Sequence, residues 1–145
     1  MTGAAYVDTS ALAKYYLQEA GSADFENFIR SDLVPHVSRL ALVEFRCLVA
    51  RRRRAGTIAP EAQTRILGLF FAHLGQGLWQ IQPIDDSDLV AAGDLIDRLS
   101  EHPLCTLDAI HLAAAVRSGS GRLATGDRIM AAAGKRLGLM PLLFG

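Results

Sequence analysis

Neither acid nor base predominates in this chain: fifteen Lys and Arg offset fifteen Asp and Glu, and the formal charge is zero. Such a balance supplies no overall field to attract nucleic acid or an anionic membrane, so any binding of that kind must come from local clusters. Cysteine is scarce too. Cys47 and Cys105 stand far apart, with no CxxC spacing and no second pair to build a zinc site. Their apolar settings, RCLVA and PLCTL, suit reduced thiols buried in the core. No apolar run is long enough to cross a bilayer, and Met1 to Ala5 lack the basic residues and apolar stretch of a secretory signal. A cytoplasmic protein without membrane contact is expected. No linker, repeat or low-complexity tract interrupts the 145 residues, half of them hydrophobic, which predicts one domain over 1–145 with a real core.

What is present alternates between two periodicities. AAYV reads as a buried strand, and Ser10 to Glu19 as a helix carrying Leu12, Tyr15 and Tyr16. Ser22 to Ser31 places Phe25, Phe28 and Ile29 on one helical face. LVPHVS reads as a strand in which Pro35 favours an edge or a strand start. A long helix from Arg39 stops at Gly56, and the next carries Pro60 near its first turn, so the two predict a helical hairpin. LWQIQPI predicts a strand, Asp86 to Ser100 a helix, CTLDAIHLAAAVRSG another, and RLAT, its following helix and MPLLFG a last strand, helix and strand. Alternation of this kind predicts an α/β fold, a parallel sheet covered by helices on both faces. Ligands of such folds sit beyond the carboxyl ends of the strands.

Four acids fall at corresponding places in this order. Asp8 follows AAYV, Asp127 follows RLAT by one glycine, Asp108 opens a helix after LCTL, and Glu44 sits inside LALVEF. Aspartate is a favoured helix N-cap, so Asp8, Asp108 and Asp127 each suit capping as well as ligation. Glu44 is surrounded by Leu40, Leu42, Val43, Phe45 and Leu48 on a helix expected to bury much of its circumference. A carboxylate there either reaches water at the edge of the buried face or is held in a site, because a buried unpaired charge costs several kcal/mol. If the four converge, mutual repulsion raises their pKa values unless cations enter. Oxygen-only donors favour magnesium or manganese over zinc, and such a site suits phosphodiester hydrolysis by metal-activated water.

The set YVDTSAL, SRLALVEF, LCTLDAIHLAAA and LATGDRIM, in this order over nearly the whole length, resembles a PIN-domain ribonuclease, specifically the VapC toxins of bacterial type II toxin and antitoxin pairs. The resemblance implies a central parallel sheet of about five strands flanked by helices, and an acidic pocket of Asp8, Glu44, Asp108 and Asp127. Asp8 and Asp108 would be direct ligands of Mg2+ or Mn2+, with Glu44 and Asp127 completing the coordination or orienting water. Thr9 or Ser10, and Thr125, would hydrogen-bond these carboxylates, while Thr9 and Ser10 equally suit ordinary capping. It further implies an endoribonuclease that leaves a 5′ phosphate and 3′ hydroxyl, silenced by a cognate VapB-like antitoxin, and a homodimer.

Outside the acids, Arg51, Arg52, Arg53 and Arg54 cannot share one helical face, since consecutive residues turn by about 100°. They predict a basic collar, either solvated at a helix C-terminus, where cations are favoured, or gripping RNA phosphates. His111, three residues after Asp108, could share its face, yet Leu112, Ala113 and Ala114 favour packing. Phe70, Phe71 and Trp79 are spaced as core or interface, and an exposed Phe70 and Phe71 pair would suit a dimer or antitoxin contact. An aspartyl phosphatase of the haloacid dehalogenase kind also starts with strand, aspartate and threonine, but needs a second aspartate where Ser10 stands. A catalytically silent PIN-like module that binds RNA or protein would lack one or more of the acids, and none is lacking.

Overall fold

The computed structural model describes residues 3–31 and 33–145. Five strands, β1 (Gly3–Val7), β2 (Leu33–Ser38), β3 (Gln80–Gln82), β4 (Arg122–Thr125) and β5 (Met140–Leu143), form one all-parallel sheet in the order β3-β2-β1-β4-β5. Seven helices cover it: α1 (Thr9–Tyr16), α2 (Ser22–Arg30), α3 (Arg39–Arg54), α4 (Pro60–Gly75), α5 (Asp86–Arg98), α6 (Thr106–Ser118) and α7 (Arg128–Arg136). This is the α/β/α arrangement expected from the alternating pattern. Among the described residues no helix is long and apolar enough to cross a membrane.

Alternation along the two central strands sorts the core into two layers. Val7 and Ala124 face one cluster, with Leu12, Phe25, Val37, Phe45, Val49, Phe70 and Trp79 beneath α1 to α4. Tyr6 and Leu123, one residue earlier in each strand, face the other, with Leu95, Leu112, Met130 and Leu139 beneath α5 to α7. Side chains that switch face at every residue let one sheet serve both layers. The second layer is small-residue rich: Ala109, Ala113, Ala114 and Ala115 bring α6 close to the sheet. An ion pair ties α6 to α5, the exposed guanidinium of Arg117 meeting both oxygens of the buried Asp88 at 2.7 and 2.8 Å.

Two expectations fail here for identifiable reasons. Pro35 lies neither at an edge nor at the start of β2, which pairs with β1 and β3. Because β3 has only three residues and its pairing begins at His36, no ladder bond to β3 is asked of Pro35. Cys47 and Cys105 are exposed, not core thiols. Helix α3 buries only the stripe Ala41, Phe45 and Val49, leaving Cys47 on the opposite side, while Cys105 is the N-cap residue of α6. The same narrow stripe leaves Val43 68% exposed, so Glu44 lies at the edge of the buried face instead of within it.

Candidate active site

The chain runs from β1 to β2 and β3 on one side, then returns to place β4 and β5 on the other. Strand order therefore reverses between β1 and β4, and their carboxyl ends open a crevice there. Asp8 is the residue after β1 and Asp127 lies two residues after β4. Helix α3 springs from the carboxyl end of the neighbouring β2 and brings Glu44, while the first turn of α6 brings Asp108. A cavity of about 200 Å³ is lined by Asp8, Thr9, Ser10, Glu44, Leu48, Arg51, Asp108, His111, Asp127 and Met130. All four acids face one space, although Asp8 and Asp108 are 100 positions apart in the chain.

Each acid is anchored by its own local structure. Asp8 is the N-cap of α1: Oδ1 accepts the backbone N–H of Ala11 at 3.0 Å and the Ser10 hydroxyl at 2.7 Å, and Oδ2 accepts the Thr125 hydroxyl at 2.5 Å. Capping and site membership are thus the same contact network, and Thr9 and Ser10 do not take over the cap. Thr9 instead donates to Glu44 Oε1 at 2.7 Å. Asp127 caps α7 through Oδ1, which accepts from Ile129 and Met130 backbone N–H groups. Asp108 stands in the first turn of α6, three residues after the N-cap, where Oδ2 accepts the Cys105 backbone N–H.

Burial pushes the Asp8 carboxyl above its ordinary range, offset in part by the nearby His111 and by the Thr125, Ser10 and Ala11 hydrogen bonds. Burial also works to raise Glu44, but there the hydrogen bond and charge of His111, the Thr9 hydroxyl and the Arg51 charge outweigh it, and the carboxyl lies below its ordinary value. The two acids are therefore driven in opposite directions by one pocket.

The arginine run divides as its 100° steps require. Arg51 lines the cavity, Arg52 pairs with Glu19 at 2.6 Å, and Arg53 donates to Gln63. Phe70 and Phe71 do not form an exposed pair: Phe70 is fully buried and Phe71 is 45% exposed under the Arg46 guanidinium. Trp79 is buried and donates to the Tyr16 hydroxyl. The residue that sequence reasoning undervalued is His111. Its spacing from Asp108 was the available signal, and the ring reaches Glu44, Thr9 and Tyr6 rather than merely packing.

A family model described as PIN domain matches residues 5–136. The chain belongs to the PIN domain family. Among solved structures, this PIN domain is similar to VapC20 of Mycobacterium tuberculosis, described as a sarcin-ricin loop cleaving toxin, at 21% identity and a TM-score of 0.70, covering 90% of this chain and 95% of that one. VapBC2 of Rickettsia felis, bound to a DNA fragment from its promoter, matches at 13% identity and a TM-score of 0.70, covering 98% of this chain and 99% of that one. FitAcB of Neisseria gonorrhoeae matches at 15% identity and a TM-score of 0.67, covering 95% and 96%. At these identities the shared property is the fold. Among curated proteins none matches.

Proposed function

We propose that this PIN domain is a metal-dependent endoribonuclease, the toxin of a type II toxin and antitoxin pair, which hydrolyses RNA phosphodiesters at its four-carboxylate cleft. The observation that carries the reading is the convergence of Asp8, Glu44, Asp108 and Asp127 on one cavity at the switch point of the sheet. The likeness to VapBC2 and FitAB supports a VapB-like antitoxin as partner; a homodimer and a cytoplasmic setting belong to the same reading.

The donor set fits Mg2+ or Mn2+. All candidate ligands are carboxylate oxygens, as hard cations prefer. Among the described residues, Glu44 Oε2, Asp108 Oδ1 and Asp127 Oδ2 accept no hydrogen bond, so three of the four acids keep one oxygen for a ligand role. No three His, Cys, Asp or Glu side chains among the described residues are already grouped to hold an ion, so the fit is one of donor chemistry. A divalent cation held there would supply acidity to water and offset charge on the phosphate. The chain's own part is to orient: Ser10 and Thr125 fix Asp8, Thr9 fixes Glu44, and the helix caps fix Asp108 and Asp127.

Purified protein incubated with RNA and Mn2+ or Mg2+ should produce fragments with 5′ phosphate and 3′ hydroxyl ends, and chelator should stop it. Undiminished cleavage in chelator would refute the metal requirement. Of the four arginines, Arg51 is the one assigned to a substrate phosphate, because it alone of the run lines the cavity. Arg51→Ser should weaken single-stranded RNA binding and flatten its log-log salt slope by about 0.7, the value for one neutralised phosphate, whereas Arg53→Ser should leave the slope unchanged. Equal slopes in the two variants, measured by RNA titration over a range of salt, would return Arg51 to the solvated collar.

A further inference from the structure

Among the described residues, both hydrogen bonds that Glu44 accepts fall on the same oxygen. Thr9 Oγ1 lies 2.7 Å from Oε1 and His111 Nε2 lies 2.5 Å from it. The terminal torsion of glutamate is otherwise broad and two-fold, so two donors on one oxygen select one orientation of the carboxylate. His111 is itself braced. Its Nδ1 is 2.7 Å from the hydroxyl of Tyr6, which is fully buried in β1 at the centre of the sheet. The two rings meet edge to face, with centroids 5.8 Å apart. A hydroxyl can donate to a neutral ring or accept from a charged one, so Nε2 presents its hydrogen to Glu44 in either protonation state. With only 3% of its surface exposed, the imidazole forms part of the cavity wall, with both nitrogens already engaged.

We infer that His111 is a positioning residue: braced by Tyr6, it holds Oε1 of Glu44 and turns Oε2 to the cleft as the one oxygen this glutamate offers a divalent cation. The role presupposes the metal-binding reading above and adds a residue of α6 that sets the ion's affinity without touching ion or RNA. Removing a partner that orients a metal ligand costs about tenfold to a hundredfold in metal affinity.

Direct Mn2+ titration of the RNA-free protein, with the unbound ion followed by electron paramagnetic resonance, tests this without relying on activity. His111→Leu should bind Mn2+ about tenfold to a hundredfold more weakly than wild type. His111→Gln, whose amide can still donate to Glu44, should recover much of the loss. Tyr6→Phe keeps the ring in the sheet, removes the hydroxyl that braces His111 and also meets Ser38, and should show a smaller loss of the same sign. In cleavage assays at fixed Mn2+, kcat should fall in His111→Leu with the KM for RNA unchanged. Wild-type Mn2+ affinity in a folded His111→Leu protein overturns the inference, and so does equal weakening in His111→Leu and His111→Gln, which a structural role alone would produce. Should His111→Leu fail to fold, wild-type affinity in Tyr6→Phe overturns it instead. A wild-type protein that binds no Mn2+ sinks the metal-site reading and this inference together, whereas a wild type that binds and cleaves beside variants of unchanged affinity sinks this inference alone.

Discussion

Asp8→Asn should lower single-turnover RNA cleavage by about a thousandfold or more while leaving the fold intact. The large effect on rate follows from removing a charge where the site needs it, since groups that stabilise developing charge in a water-poor cleft contribute about two to three orders of magnitude each. A metal ligand that also organises its neighbours should lie at or beyond the upper end. The small effect on stability follows from the surroundings of Asp8. Burial works against its ionised form, so an uncharged isostere is relieved of that penalty. The amide oxygen of asparagine can still accept from Ala11 and Ser10, which preserves the α1 cap. Only the Thr125 hydroxyl, which donates to Oδ2, loses its acceptor, at about 1 kcal/mol, and Ser10 Oγ lies 3.3 Å away as a replacement. Melting curves should therefore show a Tm within a few degrees of wild type in chelator, and the rise in Tm that Mn2+ gives wild type should vanish. Undiminished cleavage by Asp8→Asn would reduce Asp8 to a helix cap, and a protein that melts far lower would make its main role structural.

The four acids were legible because their positions follow from topology. A residue just past a parallel strand must lie on the carboxyl edge of the sheet, so Asp8 and Asp127 could be brought together from strand boundaries alone. What was not legible depends on rotation about helix axes and on contacts across the sheet. His111 stands among Leu112, Ala113 and Ala114, and its sequence neighbours indicate packing; its polar partners come from β1, α1 and α3. Arg117 and Asp88 are nearly thirty residues apart on helices whose mutual orientation no local pattern contains. Asp8 posed a choice between cap and site that the geometry does not force, since Oδ1 caps α1 while the residue also lines the cavity beside Glu44, Asp108 and Asp127. Hydroxyl residues beside an acid are ambiguous for the same reason: Thr9 and Ser10 begin a helix, and that position is also the one from which their side chains reach Glu44 and Asp8.

Phe70 and Phe71 make the limit of periodicity measurable. Adjacent helical residues differ by about 100°, so one of the two can face the core while the other faces water, and sequence alone does not say which. Phe70 is fully buried, with its ring 4.7 Å from that of Phe45 and 5.4 Å from that of Tyr16, centroid to centroid. Phe45 is the residue after Glu44, so this contact between α4 and α3 also fixes the helix that carries a site carboxylate. Phe70→Ala should cost about 3 to 5 kcal/mol in denaturant unfolding, the range for emptying a buried aromatic position. Phe71→Ala, which loses a half-exposed ring and its contact with Arg46, should cost about 1 kcal/mol or less. Because α3 is held on this side by the aromatic stack, Phe70→Ala should also weaken Mn2+ binding at temperatures where the protein remains folded, and Phe71→Ala should not. Equal destabilisation by the two alanines would contradict the packing of α4 on α3. A Phe70→Ala protein of reduced stability but unchanged Mn2+ affinity would show that Glu44 is held by Thr9 and His111 independently of the stack behind it.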